Sequence, residues 1–193
     1  MKPKRPDRLP GFQIMMPAVT DDHSISPLAP VDIVPLTALV REIWHQHYPG
    51  IITVKQIEYM LKQRYSPDTI HAEIESGAAR WVKLLVNGVL GGFASYEADD
   101  ARRVVKFDKL YVHALYRGKG CGTALARHVE RTAFALGCDQ VYLRVNRNNF
   151  DSIAVYRRLE YEVVDKVKTD IGGGFYMDDY VMAKDVRRLT SCL

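Results

Sequence analysis

Apolar and polar positions follow two periods along this chain. From Ile33 to about His47, the residues Ile33, Leu36, Leu39, Val40, Ile43 and Trp44 recur at three- and four-residue steps. That spacing puts them on one face of a helix, with Asp32 as its N-cap. His47-Tyr48-Pro49-Gly50 ends the pattern. Thr53 caps a second helix with Ile57, Met60 and Leu61 in phase, and Ser66-Pro67 opens a third that runs to about Gly77, its proline at the first helical position. The period then changes to two. Trp81–Val86 and Val89–Glu97 read as a hairpin turning at Asn87-Gly88, and Arg103–His113 as a central strand. A helix from Gly120 to Leu136 ends at Gly137, followed by a strand Gln140–Val145 and a helix Phe150–Leu159. Glu162–Thr169 and Phe175–Ala183 form a last hairpin around Gly172-Gly173-Gly174, and Ile25–Leu28 suits a short first strand. The order β-α-α-α-β-β-β-α-β-α-β-β predicts a mixed α/β (α+β) domain. Its first part is antiparallel, with one parallel pair around the glycine loop.

That loop, Arg117-Gly118-Lys119-Gly120-Cys121-Gly122, joins a strand to a helix. Backbone N–H groups at a helix start lack intrahelical acceptors and can converge on one phosphate, helped by the helix dipole. Gly118, Gly120 and Gly122 let the backbone approach a ligand, and Arg117 and Lys119 add cationic donors. The spacing is not that of a P-loop, which needs four residues between its glycines and then Gly-Lys-Ser/Thr. Nor is it that of a dinucleotide fold, because the glycines are spaced two and two and no acidic residue follows at the required distance. What remains is Arg-x-x-Gly-x-Gly and an expected diphosphate ligand; the bland alternative is a glycine-rich turn with basic decoration.

Three segments together resemble the GCN5-related N-acetyltransferase family over roughly residues 24 to 185. The first is the loop itself. The second is Leu110-Tyr111-Val112-His113-Ala114-Leu115-Tyr116-Arg117, with Ala114 where the family often has proline. The third is Asn149 to Tyr161, similar to Asn-x-x-Ala-x-x-x-Tyr-x-x-x-Gly-Phe, with Ser152, Glu160 and Tyr161 as departures. Glu160 stands where glycine would take a left-handed helix cap, so a shifted cap is expected. The resemblance implies a central, mixed, twisted sheet of about six to seven strands, a splayed central pair and flanking helices.

It also implies acetyl-coenzyme A as cosubstrate, no metal, and an amine acceptor that is a small molecule or a peptide. The loop, from Arg117, Gly118, Lys119, Gly120, Cys121 and Gly122 to Thr123, would hold the pyrophosphate. Leu110, Tyr111 and Val112 would hold the thioester arm, and a backbone N–H freed by a β-bulge there would face the acetyl oxygen. Asn149 and Ser152 would lie along the pantetheine arm; Asn149 also suits an ordinary N-cap. Tyr156 would be the general acid, since a phenol with a pKa of about 10 can protonate a thiolate of about 8.5. Relatives with Leu-Glu-Val on the next strand carry a carboxylate there; this chain reads Leu143-Arg144-Val145. Arg144 either meets an acidic group or is solvated. Glu97 and Asp108 remain as general-base candidates, Asp108 on grounds of strand parity with Leu110 and Val112. Trp44, His47 and Tyr48 cluster at the end of the first helix and suit an alkylammonium group by cation–π contact, or else core and loop packing. Asp178-Asp179 either attracts a cationic amine or decorates a strand edge. Homodimers are common in the family. A degenerate member that binds coenzyme A without turnover is the alternative of a different class.

Composition narrows the rest. The chain has 193 residues, 47% hydrophobic and 26% charged, with a net charge of +4. It suggests one domain over residues 23–187 with a proper core. Residues 1–22 hold four prolines and little pattern, which predicts a mobile extension, and 188–193 a short tail. No apolar run reaches the ~18 residues of a membrane span, and no secretory h-region follows the basic start. Cys121, Cys138 and Cys192 are scattered, without metal spacing, which points to free thiols in a reducing, cytoplasmic setting. Lys and Arg are dispersed, which argues against nucleic acid as a partner.

Overall fold

In the computed structural model, which describes residues 22–188, seven strands form one sheet in the order β1-β2-β3-β4-β5-β7-β6. They are β1 (His23–Pro27), β2 (Arg80–Val86), β3 (Val89–Asp99), β4 (Val104–Val112), β5 (Gln140–Asn146), β6 (Glu162–Gly172) and β7 (Phe175–Asp185). Among these, only β4 and β5 pair in parallel. The helices are α1 (Ile33–His47), α2 (Val54–Arg64), α3 (Pro67–Glu75), α4 (Cys121–Ala135) and α5 (Phe150–Arg158). The order read from periodicity holds throughout. The extension and tail expected at the two ends fall, save for residues 22 and 188, outside the described residues.

Local chemistry sets the helix starts. Thr53 Oγ1 accepts from Gln56 N–H at 3.2 Å, and Ser66 Oγ accepts from Thr69 N–H at 3.1 Å, each satisfying an amide with no intrahelical acceptor. Asp32 departs from expectation. Its side chain does not cap α1; it accepts from Ala29 N–H at 2.8 Å and from Lys83 Nζ at 2.6 Å, closing a short 3₁₀ turn and tying it to β2. At Asn87-Gly88 both residues take positive φ, 50° and 78°, as the tight hairpin requires.

Two apolar cores sandwich the sheet. One lies under α4 and α5 and includes Val105, Phe107, Leu125, Val129, Leu143, Ile153 and Met182. The other lies under α1–α3 and includes Leu36, Val40, Trp44, Ile57, Ile70, Trp81 and Phe93.

Two irregularities shape the centre. The β3–β4 ladder shifts register between Ser95 and Tyr96, so Ser95 pairs Lys109 and Tyr96 pairs Phe107, leaving Asp108 as a bulge. The β4–β5 ladder stops at Phe107–Leu143, so Asp108–Val112 have no partner on β5. The bulge reverses the parity assumed from sequence. Phe107, Leu110 and Val112 pack toward the α4 core, whereas Asp108 meets Arg64 of α2 at 2.7 Å, on the opposite face.

Helix α5 ends differently from expectation. Its cap is not shifted: Glu160 itself takes φ +69°. Tyr161 N–H donates to Tyr156 O and Glu160 N–H to Arg157 O, both at 3.0 Å, which is a complete Schellman motif built on a non-glycine residue.

Candidate active site

The parting of β4 from β5 opens a cleft of about 870 Å³ lined from both layers. At one end lies the glycine loop. A 3₁₀ turn at Ala114–Tyr116 leads from β4 to Arg117, and Gly118 and Gly120 take φ +75° and +82°. Gly120 is the N-cap of α4, so the amides of its first turn face the cleft end with no intrahelical acceptor. A Cβ at Gly118 or Gly120 would meet nothing within 4 Å, so these glycines border open space, as an anion cradle needs. Arg117 Nε donates to Val112 O at 3.1 Å, which ties the loop to the freed end of β4.

Leu110, Tyr111, Val112, Gly118, Gly122, Thr123, Asn149, Ser152 and Tyr156 all border this cleft. Cys121 has its side chain buried in the α4 core, so only its backbone is available there. Lys119 is exposed, with Nζ 5.8 Å from the Tyr116 ring, outside the cleft wall. Asn149 Oδ1 accepts from Ser152 N–H at 3.3 Å and so caps α5. His47, at the end of α1, sits against Asn149 and Arg117. Burial and then the Arg117 charge hold its imidazole below the ordinary histidine value.

The middle of the cleft is phenolic. Tyr48 and Tyr111 hydroxyls lie 3.0 Å apart, and burial raises both phenols well above their usual value, so both stay neutral. Tyr156 is likewise raised by burial, and its ring meets Tyr161 edge-on at 5.8 Å. Trp44 is 2% exposed, packs against Tyr48 with ring centroids 4.4 Å apart and planes tilted by 39°, and forms part of the wall.

The carboxylates separate into two kinds. Asp108 lines the cleft but contacts Arg64 and Lys109 at 2.7 Å and Lys106 at 3.0 Å. Burial works to raise its pKa, yet Lys109, Arg64 and Lys106 outweigh it and hold the carboxyl well below the usual range. Glu97 pairs with Lys106 at 2.9 Å and does not border the cleft. Asp179 of β7 is the other kind. It is 6% exposed, borders the cleft, and its Oδ1 is fully buried with no hydrogen-bond partner among the described residues. Burial lifts its pKa to about 6, Arg144 and Arg64 opposing and Asp178 adding. Sequence alone offers Asp179 only as half of an acidic pair. Arg127 of α4 and Arg158 of α5 border the cleft too, and the sequence singles out neither. Among the described residues no cluster of three metal-ligating side chains occurs, and no helix is long and apolar enough to cross a membrane.

Residues 38–161 match the model of the acetyltransferase (GNAT) family. An acetyltransferase of Pectobacterium atrosepticum is 36% identical over 81 residues, 42% of this chain and 52% of that protein. The chain thus spans about half the length of the curated relatives it matches. Among solved structures, the PaiA N-acetyltransferase of Thermoplasma acidophilum, in complex with coenzyme A, superposes with a TM-score of 0.74 at 24% identity, covering 85% of this chain and 99% of that one. YncA of Salmonella typhimurium, with its cofactor acetyl-CoA, superposes at 0.60 and 20% identity, covering 86% and 95%.

Proposed function

This chain belongs to the acetyltransferase (GNAT) family, and from that premise we propose that it transfers the acetyl group of acetyl-coenzyme A to a primary amine by direct attack in a ternary complex. One observation carries the reading: the cleft runs from a helix N-terminus that can hold a diphosphate, along the unpaired end of β4, to polar groups beneath α1 and α2.

In this reading Gly118, Gly120, Gly122 and Thr123 hold the pyrophosphate through the first-turn amides of α4, with Arg117, Arg127 and Arg158 supplying charge. The free edge of Leu110–Val112 receives the amide-bearing arm as an extra strand would. An N–H from the same edge faces the acetyl oxygen, and a donor aimed at that developing charge is worth on the order of 10²–10³ in rate in other acyl transfers. Tyr156 protonates the departing sulfur. Its raised pKa makes the transfer uphill from an ordinary thiolate, but a thiolate desolvated in the same cleft rises with it. Asp108 and Glu97 are passed over as bases, because each is already neutralised by lysine.

The test is release of coenzyme A, followed with a thiol reagent, over polyamines, amino acids, aminoglycosides and peptide amino termini. Turnover with one class, reduced in Tyr156→Phe, supports the reading. A module that binds coenzyme A without turnover is favoured by the pairing of both sequence-nominated carboxylates. Thermal stabilisation by coenzyme A with no release on any amine would decide for it.

A further inference from the structure

We propose that Asp179 accepts the proton of the acceptor ammonium, so that β7 supplies the base that β5 lacks; this rests on the acetyl-transfer reading above. The contrast with the other buried carboxylates carries it. Asp108 has Arg64, Lys106 and Lys109. Glu130 also leaves Oε1 unbonded among the described residues, but its Oε2 holds Lys184 at 3.0 Å and it lies away from the cleft. Asp179 is as buried as these, yet no cation pairs with it among the described residues. A buried carboxylate oxygen without a partner is unfavourable, and such groups persist where a ligand completes them. Asp179 borders the cleft, so the completing partner can be a cationic substrate.

Its surroundings suit a proton acceptor. From β5, Arg144 shares its sheet face one pleat away, acts on its charge without forming an ion pair among the described residues, and donates to Thr169 Oγ1 at 3.5 Å. From α2, Arg64 is occupied by Asp108. Tyr48, after α1, senses the Asp179 charge through its phenol. On β7 itself Asp178 is drawn to Arg147 at 3.2 Å. On β6, Val167 stands opposite, while Lys166 and Lys168 lie over the rings of Tyr180 and Tyr176. Burial keeps the carboxyl at about 6, high enough to take a proton and low enough to be ionised at neutral pH.

The balance closes. Asp179 takes one proton from the ammonium, the neutral nitrogen forms the C–N bond, and the C–S bond breaks. Tyr156 protonates the sulfur, the second nitrogen proton restores the phenol, and Asp179 releases its proton to water.

The experiment is kcat/KM against pH for the best amine of the panel and for an analogue of it fluorinated beside the nitrogen. Wild type should lose rate below a limb near pH 6 that stays put when the amine pKa changes. Asp179→Asn should lower kcat by 10²-fold or more and remove the limb, with coenzyme A affinity unchanged, and Asp179→Glu should restore part of the rate. A limb that follows the amine pKa, or an Asp179→Asn enzyme within threefold of wild type, overturns this assignment alone. Coenzyme A binding without turnover on any amine overturns the acetyl-transfer reading, and this proposal with it.

Discussion

Asp108 and Lys109 are consecutive residues of β4, yet their side-chain charges meet at 2.7 Å. In a regular strand successive side chains point to opposite faces, so this contact exists only because Asp108 is a bulge. The pair is deep: the side chains are 6% and 1% exposed, and Arg64 and Lys106 complete the cluster. Asp108→Asn would leave three cations facing one another. Breaking a buried pair in this way costs about 3–5 kcal/mol. Because the folded-state pKa is depressed, the contribution of Asp108 is full above the ordinary carboxylate value and lost as pH falls through the folded one. Melting curves should therefore show a large loss for the variant at pH 7 that narrows below about pH 4.

Asp179→Asn should do the reverse. The folded-state pKa of about 6 lies above the ordinary 3.8, so the folded chain binds the extra proton between these values, and stability falls as pH rises through that window. Removing the charge should stabilise the fold at pH 7.5 by about 3 kcal/mol and have little effect at pH 4. A destabilised variant at pH 7.5 would mean that Asp179 has a structural partner. Stabilisation together with lost activity is the trade-off expected of a residue kept for function.

Tyr156→Phe keeps the ring that meets Tyr161 and removes the hydroxyl. The expected outcome is a kcat lower by about 10²-fold with coenzyme A affinity and melting temperature held, since general-acid contributions are of this size. Steady-state kinetics beside calorimetric titration of coenzyme A would separate the two.

The loop glycines should divide. Gly120→Ala forces a Cβ into φ +82°, a conformational cost of about 1–2 kcal/mol even though the space is open. Gly122 lies in the first turn of α4, and its added Cβ would rest 3.9 Å from Val112 Cγ2, an ordinary separation. Gly122→Ala should therefore melt no lower than wild type while binding coenzyme A more weakly. Unchanged affinity would move the diphosphate away from that amide.

Glu160→Gly should raise stability. The Schellman geometry needs φ +69°, which glycine adopts without the penalty of about 1 kcal/mol borne by glutamate. The variant also removes the ion pair of Glu160 with Lys184 at 3.4 Å, but the Glu160 side chain is largely exposed and such a pair is worth little. A rise of about 2–4 °C in melting temperature is expected for a domain of this size.

What the sequence discloses is what short range controls. Thr53 and Ser66 cap the amides that follow them within three residues, and Asn87-Gly88 turns its own hairpin, so each is readable in place. The glycine loop is equally local. The bulge at Asp108 is not, because it depends on how β4 registers against β3, and one unpaired residue turns a parity inference onto the wrong face. Arg64 and Asp108 are 44 positions apart, and nothing in either neighbourhood announces their contact. Asp179 is the same problem in electrostatic form: its basicity comes from burial under elements distant in the chain, which residue type cannot express. Glu160 differs again, since a general preference for glycine is overridden there by two backbone hydrogen bonds.

The two apolar cores share no buried side chain, and each backs one bank of the cleft. The bank beside α4 carries the glycine loop, and the bank beside α1–α3 carries Trp44, Tyr48 and Tyr65. Drift in the second core can therefore remodel one doorway while leaving the hinge posts of the other standing.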